Sequence, residues 1–384
     1  MRLLEGGTIV DADGSLEADV LIDDGTIEVV GDASDETPDE RIDASGQFVT
    51  PGMIDSHVHL MMDARPDAES VQGDSEATLA YRTAENLRNQ AEAGVVATRD
   101  LGAPATLAID ARDAVANDTL LGPRVQASGK NVVMTGGHGH WFGREADGPA
   151  EVRKAVREQL KAGADVIKTM ATGGVLTTGA QTGAPELTPV ELEALVETAH
   201  TAGRKTAAHC HGTQGIKNAV LAGIDSVEHG TFMDEEAAEL MAERDTYWVP
   251  TLSALKGIVE NSDAGIPQQA VEKGEHAGER MAAAWEYALD ADVPIAMGTD
   301  AGTPFNEHAD AAHELAYMVE YGLDEAGALE AATVNAADLL GLDDTGMIEK
   351  GHRADLLVLP ENPLEDVQAW QHPEHVFLGG EQVR

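Results

Sequence analysis

Apolar and polar residues alternate over short segments at both ends of the chain. Residues 6–11, 18–22 and 26–30 form three such segments, which Asp-Gly pairs separate, and residues 354–359 and 376–380 repeat the pattern. Alternation of this kind between turn signals is typical of β-strands. Neither end is long enough to bury a core alone. We therefore expect residues 1–50 and 345–384 to form one small β-sandwich domain together.

Between residues 51 and 344 the pattern changes to strands that alternate with helices. Thr188, Pro189 and Glu191 predict a helix start with a capping box, and Gly203 predicts its end. Eight apolar segments alternate with such helices, namely residues 53–55, 95–98, 124–128, 165–169, 205–209, 225–229, 247–249 and 294–300. Eight strands that alternate with helices favour an α/β fold, namely a (β/α)8 TIM barrel over residues 51–344. An open doubly wound sheet shares the alternation, but no Gly-x-Gly-x-x-Gly segment opens a strand–helix unit.

Polar residues stand at or just beyond the ends of five of these strands. They are His57, Lys168, His209, His229 and Asp300. The carboxyl ends of barrel strands converge on one cleft, where barrel enzymes place their reactive groups. Side chains at positions i and i+2 of a strand share a face, so His59 joins His57. One such histidine is ordinarily a core or surface residue, whereas the whole set favours a metal site.

Two of these residues suggest specific chemistry. Lys168 lies in a strand that the pattern buries, and burial lowers the pKa of a lysine. An acidic partner inside the barrel is one explanation. The other is a neutral amine that takes up carbon dioxide, whose carbamate bridges two divalent ions. Asp300 is either a helix N-cap or a metal-bound carboxylate that moves a proton from water to the leaving group.

The charge of the chain restricts its partners. It has 69 acidic and 25 basic residues, which leave a net charge of −44. A field of that sign repels phosphate backbones and anionic membranes, so we expect neither nucleic acid nor membrane as a partner. The acids are scattered along the chain, which favours a solvated halophilic surface over a polycation-binding one.

The cysteine content and the apolar runs indicate the compartment. Cys210 is the single cysteine, so no intrachain disulfide forms. The first residues lack the apolar stretch of a signal peptide, and no run reaches the ~18 apolar residues of a membrane span. We expect a cytoplasmic protein.

Several motifs resemble those of the amidohydrolase superfamily. Residues 51–59, Pro-Gly-Met-Ile-Asp-Ser-His-Val-His, resemble its opening signature, and residues 351–356, Gly-His-Arg-Ala-Asp-Leu, resemble its return to the sandwich. A lysine, two strand-end histidines and an aspartate follow in the family's order. The resemblance implies two divalent ions, usually zinc. It implies that His57, His59 and Asp300 bind one ion and that His209 and His229 bind the other. Carboxylated Lys168 would bridge both ions.

Other segments narrow the resemblance within the superfamily. Residues 135–139 and 167–174 are similar to the imidazolonepropionase-related dipeptidases, which include prolidase-like enzymes and enzymes that remove a C-terminal arginine or lysine. The imidazolonepropionases hold one ion and lack the bridging lysine, so Lys168 points to the dipeptidases. In that group His138 would hydrogen-bond the scissile carbonyl, the alternative being an ordinary loop histidine.

These observations predict a dipeptidase-like hydrolase of C–N bonds. A hydroxide between two ions would attack the amide of a dipeptide or N-acyl amino acid. A lactonase or phosphotriesterase with the same centre is one alternative, and a non-catalytic metal-binding barrel is another.

The substrate pocket has weaker signals. We expect His138, His140 and Tyr247 to contact a small-molecule substrate. Further candidates for this contact are Arg99, Arg144 and Trp248. His140 and His211 are also candidates for orienting the metal ligands. Cys210 should point away from the ions, and a homo-oligomer is left open.

Overall fold

The computed structural model describes residues 1–179 and 181–384. The strands are β1 (Arg2–Asp11), β2 (Gly14–Asp23), β3 (Thr26–Gly31), β4 (Glu40–Asp43), β5 (Phe48–Pro51), β6 (Met53–Val58), β7 (Val95–Asp100), β8 (Arg124–Ala127), β9 (Val132–Val133), β10 (Arg144–Glu145), β11 (Val166–Met170), β12 (Lys205–Gly212), β13 (Ser226–Phe232), β14 (Tyr247–Val249), β15 (Leu356–Leu359), β16 (His375–Leu378) and β17 (Glu381–Gln382).

Most α-helices of the described chain follow the central strands. They are α1 (Glu76–Glu92), α2 (Leu107–Ala116), α3 (Pro149–Ala162), α4 (Pro189–Thr201), α5 (Thr213–Ala222), α6 (Glu235–Glu243), α7 (Leu252–Glu260), α8 (Gln268–Asp290), α9 (His313–Glu320), α10 (Glu325–Ala332) and α11 (Val334–Leu340). Short 3-10 helices span Ala68–Gly73, His308–Asp310 and Val367–Gln371. Within this described part, no helix is both long and apolar enough to cross a bilayer.

The two chain ends share one eight-stranded sheet. Its strand order is β17-β16-β15-β5-β1-β2-β3, and β4 pairs with β1. Antiparallel pairing of β15 with β5 joins the two ends, and an isolated antiparallel bridge from Thr26 to Arg353 adds to it. A separate apolar cluster lies against this sheet and includes Leu4, Val20, Leu356 and Phe377. The fold therefore contains a β-rich part built from both ends, while the domain boundaries at residues 50, 51, 344 and 345 stay a prediction.

The central strands are parallel and alternate with helices. One sheet has the order β6-β7-β8, and another has the order β10-β9-β11-β12-β13-β14. Seven of the eight segments expected from the sequence are strands here. The eighth, residues 294–300, is not a strand: Ile295 forms an isolated parallel bridge to Trp248 of β14, and Ala301, the next residue after the segment, forms one to Val58 of β6. It therefore lies between the two sheets and contacts both.

Local sequence explains where the helices begin and end. The predicted capping box of α4 is present, because the Thr188 side chain accepts from the backbone and the Glu191 side chain reaches back. Gly163 ends α3 in the left-handed conformation, with φ of 101°. The apolar faces of these helices pack on the outer face of the strands, where Trp248 contacts Trp285 with ring centroids 4.9 Å apart. Polar residues are thereby left for the inner face and the strand ends.

A glycine joins the chain-end sheet to the first central strand. Gly52 lies between β5 and β6, and its N–H donates to the Asp355 carbonyl at 3.0 Å. A Cβ at this position would overlap the Val96 side chain. Only a residue without a side chain lets the start of β6 approach β7 this closely.

We predict that Gly52→Ala destabilises the fold by about 1–3 kcal/mol, because overpacking forces β6 away from β7. The midpoint of urea unfolding measures the effect. Gly73→Ala is the matched control, since a Cβ there meets nothing within 4 Å and its φ is not left-handed. Equal midpoints for the two variants would contradict the packing argument.

Candidate metal centre

The polar residues expected at the strand ends all line one cavity at the carboxyl ends of the central strands. Each is more than nine-tenths buried. The cavity brings together His57, His59, Lys168, His209, His229 and Asp300. Parallel strands explain the convergence, because their carboxyl ends face the same side of the sheet.

Asp300 lies beside the first histidine pair. Its Oδ1 atom is 3.4 Å from His57 Nε2 and 3.5 Å from His59 Nε2. Potential ligand atoms of His57, His229 and Asp300 also lie within 4.8 Å of one another. Asp300 Oδ1 has no hydrogen-bond donor although it is buried.

The hydrogen bonds of three rings fix their tautomers. His59 Nδ1 lies 3.0 Å from the Gly102 carbonyl and His57 Nδ1 lies 2.9 Å from a Glu228 carboxylate oxygen, and both partners only accept. His229 Nδ1 lies 2.7 Å from Thr251 Oγ1, whose proton is donated to the Pro250 carbonyl. Each Nδ1 therefore carries the proton, and each Nε2 presents a lone pair.

Backbone conformation aims two of these side chains. His229 has φ of 68° and Asp300 has φ of 57°, a left-handed region that non-glycine residues rarely adopt. The Asp300 N–H donates to the His57 carbonyl at 2.7 Å, and Trp248 Nε1 donates to the His229 carbonyl at 2.9 Å. These bonds hold both residues in a conformation that turns their side chains at the strand ends.

A buried ion pair supports the centre from inside the strands. Glu228 is fully buried, and one of its carboxylate oxygens accepts from Arg99 Nη2 at 3.1 Å while the other faces His57. Arg99 also donates to the Ser56 carbonyl at 2.6 Å. Glu228 is not among the predicted site residues, and the sequence predicts Arg99 as a substrate contact. The structure corrects this, because Arg99 lies beneath His57 and its charge is already paired.

Lys168 has no hydrogen-bond partner. Its Nζ atom is buried in β11 with neither a donor nor an acceptor in contact. Burial lowers the pKa of this amine and raises the pKa of the Asp300 carboxyl. A lysine amine with a lowered pKa is more often neutral, which is the form that reacts with carbon dioxide.

A second group of potential ligand atoms adjoins the first and shares His229 with it. Potential ligand atoms of His209, His211 and His229 fall within 4.8 Å of one another. The rings of His211 and His229 stack with centroids 4.9 Å apart, and His209 Nε2 is buried without a partner. Sequence analysis treated His211 as an orienting group. The structure brings it as close to the centre as the expected ligands.

The donor atoms in this cavity suit divalent cations. Burial lowers the pKa of His57, His209 and His229 well below the ordinary histidine value, so the rings are neutral at pH 7. Neutral imidazole nitrogens and a carboxylate are the ligands that zinc prefers. A bound cation would satisfy the unpartnered lone pairs that face one another in this buried cavity.

The expected substrate-binding residues divide into two groups. His138 lines the cavity, with its ring centroid 4.3 Å from that of His209. His140 is exposed, and its Nδ1 contacts the Gly137 carbonyl. Tyr247 begins β14 at the opposite end from the cavity, and its hydroxyl donates to Asp338 at 2.8 Å. The predictions for His140 and Tyr247 are thus corrected: neither lines the cavity.

The remaining candidates lie elsewhere as well. Arg144 pairs with Glu158 and Glu151, and Trp248 packs in the helix-facing core. His138 and His140 are in a turn rather than a strand, so their spacing does not place them on one face. Cys210 is buried and packs in the apolar core, as expected.

Apolar side chains form most of the remaining cavity wall. The free volume, counted out to the open mouth, is about 870 Å³. Its apolar lining includes Met62, Trp141, Phe142, Val175, Ile258 and Met281. Among the described residues that line it, Lys168 is the single lysine or arginine, and Glu69 is the one carboxylate besides Asp300.

Comparison with known proteins assigns the class. Residues 48–383 match the model of the amidohydrolase family. The chain therefore belongs to the amidohydrolase family, and it is a hydrolase of C–N bonds in the prolidase-like group, as predicted from the sequence.

Relatives of known structure have the same fold over the full chain. A Xaa-Pro dipeptidase crystallised with methionine in its active site is 34% identical, with a TM-score of 0.94 over 99% of each chain. A prolidase in complex with N-methylphosphonate-L-proline is 30% identical, with a TM-score of 0.93 over 100% of this chain and 99% of the other. Ochratoxinase from Aspergillus niger is 32% identical over 99% of this chain and 86% of its own length.

We predict that Thr251→Val weakens zinc binding about 10- to 100-fold, the usual effect of losing a group that orients a ligand. Valine removes the acceptor for the His229 Nδ1 proton and leaves that N–H unpaired. Competition with a chelating dye measures the affinity.

Thr246→Val is the control for this change. Thr246 is also buried, but its hydroxyl donates to the Ile224 carbonyl before β14 begins, whereas Thr251 follows that strand. Equal zinc affinities in the two variants would show that the Thr251 hydroxyl does not orient a ligand.

Proposed function

We propose that this protein is a binuclear metal-dependent amidohydrolase that cleaves an amide bond in a dipeptide or N-acyl amino acid. His57, His59 and Asp300 would hold one divalent ion, and His209 and His229 would hold the other. Lys168, carboxylated on Nζ, would bridge them. Zinc suits this mixture of nitrogen and oxygen donors.

The unpartnered buried atoms carry this proposal. Lys168 Nζ, His209 Nε2 and Asp300 Oδ1 lie in one cavity without hydrogen-bond partners, although an unsatisfied buried polar group costs about 1–3 kcal/mol. A carbamate on Lys168 would add two oxygen donors to this cavity. Bound divalent ions supply Lewis acidity and lower the pKa of water, which is the chemistry that amide hydrolysis needs.

The protein's own groups would then handle the proton and the carbonyl. The Asp300 carboxylate is positioned to accept a proton from water and pass it to the departing amine. The His138 ring, on the wall of the same cavity, is positioned to donate a hydrogen bond to the scissile carbonyl oxygen. Glu228 and Arg99 would keep the His57 ring in one orientation.

The shape and lining of the cavity favour a substrate with large apolar groups. Met62, Trp141, Phe142 and Ile258 offer apolar surface, whereas no arginine of the described chain reaches the cavity. The similarity to a Xaa-Pro dipeptidase and a prolidase supports a peptide-type bond. We propose an amino-acid-derived substrate with apolar side chains and no lysine or arginine clamp for its carboxylate.

The fold would complete this arrangement. We propose that residues 294–301, which bridge β14 and β6, close the parallel strands into a (β/α)8 barrel, and that residues 1–50 and 345–384 form the sandwich domain beside it. Closure would explain why Asp300, on the eighth segment, meets His57 on the first strand.

We predict that Lys168→Met reduces zinc content from two ions to at most one per chain and abolishes amide hydrolysis, because the bridging oxygens are lost. Methionine fills a similar buried volume, so the fold should persist. Elemental analysis of dialysed protein and a hydrolysis assay measure the two effects.

Lys205→Met provides the control. Lys205 begins the neighbouring strand β12 at its opposite end, where Nζ donates to the Asp338 carbonyl. We expect full zinc content and activity in that variant. Two zinc ions retained by the Lys168 variant would contradict the bridging role.

We predict that N-acyl amino acids and dipeptides with Phe, Met or Leu side chains are hydrolysed at least about 10-fold more efficiently than those with Asp or Arg, because burying an unpaired charge in this cavity is costly. A substrate panel in high salt, read as kcat/KM, measures the preference. Turnover of lactones or phosphotriesters but not of amides would overturn the proposed reaction.

A further inference from the structure

His138 has a hydroxyl partner on a neighbouring loop. Its Nδ1 atom lies 2.7 Å from Thr177 Oγ1, and the Gly139 N–H donates to the same oxygen at 3.2 Å. Thr177 is buried, and His138 Nδ1 is the acceptor within reach of its proton. The His138 ring therefore accepts at Nδ1, which leaves the neutral ring protonated at Nε2.

This tautomer is the opposite of the one found in the expected ligands. In His57, His59 and His229 the partner of Nδ1 accepts, so Nε2 offers a lone pair. In His138 the partner donates, so Nε2 offers a proton. The first three rings present a nitrogen lone pair that can bind a cation, whereas the His138 ring presents an N–H group that can donate to an oxygen.

We propose that Thr177 keeps His138 in its Nε2–H tautomer, which makes this ring a hydrogen-bond donor to the substrate carbonyl instead of a metal ligand, and that Lys273 is a positioning residue for Thr177. The role in substrate binding rests on the proposed amidohydrolase function. The tautomer itself does not.

Lys273 holds the loop that carries Thr177. Its Nζ atom, on α8, donates to the Thr177 carbonyl at 3.0 Å and to the Gly174 carbonyl at 3.3 Å. On the other side of this turn, Glu69 accepts from the Thr178 N–H at 3.2 Å. The ammonium group thus closes the turn from residue 174 to residue 177 and fixes where the Thr177 hydroxyl points.

Apolar packing secures the same turn. Val175 and the partly buried Leu176 belong to a small cluster with Ile258 of α7 and with Ala270 and Val271 of α8. The cluster and Lys273 attach the turn to one helix pair. A Cβ on Gly174 would overlap the His138 ring, so the backbone of the turn also limits how that ring can move.

The tautomer can be read without any substrate. In protein labelled with ¹⁵N-histidine and loaded with zinc, the two ring nitrogens of His138 have distinct chemical shifts, and a His138→Gln sample identifies them. We expect a protonated Nε2 in the native protein and a mixture of tautomers in Thr177→Val. A protonated Nδ1 in the native protein would overturn the inference.

Kinetics test the positioning role in an active preparation. We expect Thr177→Val and Lys273→Met to lower kcat about 10- to 100-fold with little change in KM, because a donor to the transition state is misplaced. Thr177→Ser retains the hydroxyl and should restore kcat to within about threefold of native. Zinc content should stay at the native level in all three variants.

Two controls separate this role from general stability. Thr182→Val removes a hydroxyl that donates to the Gly174 carbonyl but does not contact His138, and Lys217→Met breaks a surface ion pair with Asp234. Both should retain native kcat. Equal losses in Thr177→Val and Thr182→Val would mean that the turn acts only structurally and would overturn the inference.

The outcomes also distinguish this inference from the proposed function. A metal-loaded protein that hydrolyses no amide, yet shows His138 protonated at Nε2, would refute the function and leave the tautomer intact. Amide hydrolysis with His138 protonated at Nδ1 would support the proposed function and refute the tautomer.

Discussion

Burial of lone pairs without donors is the constraint on which this site depends. Asp300 Oδ1 lies within 3.5 Å of two imidazole nitrogens that carry no proton, while Lys168 Nζ and His209 Nε2 have no partners. Buried groups of this kind repel one another or remain unsatisfied at a cost of about 1–3 kcal/mol each. Divalent cations would offset that cost, and we propose this as the reason why these residues converge.

Different parts of the fold satisfy this constraint: the strands, the backbone conformation, the hydrogen bonds of the rings and the outer helices. Strand ends deliver the donor atoms, and left-handed backbone at His229 and Asp300 turns two of them to the centre. Groups that accept from Nδ1 set the tautomers of His57, His59 and His229, whereas the Thr177 hydroxyl, which donates, sets the opposite tautomer in His138. Helices cover the outside of the strands, so charge is concentrated in the cavity and on the acidic surface.

The sequence predicts the site residues correctly where the periodicity of strands and helices determines which way a side chain points. The placement of His57, Lys168 and His209 on short apolar strands is predicted from the sequence, although Lys168 and His209 lie inside their strands and not at the ends. The capping box of α4 is predicted as well. The sequence was uninformative where contacts join distant segments: Glu228 pairs with Arg99 across 129 positions, and nothing local marks that pair. The error at His140 arose because its i+2 spacing falls in a turn, where alternation of faces does not hold.

The most direct test of the central claim is a crystal structure of the zinc-loaded protein with anomalous data at the zinc edge. We predict two anomalous peaks, one among His57, His59 and Asp300 and one beside His209 and His229, with carbamate density on Lys168 between them. A single peak among His209, His211 and His229, with an unmodified amine at Lys168, would contradict it.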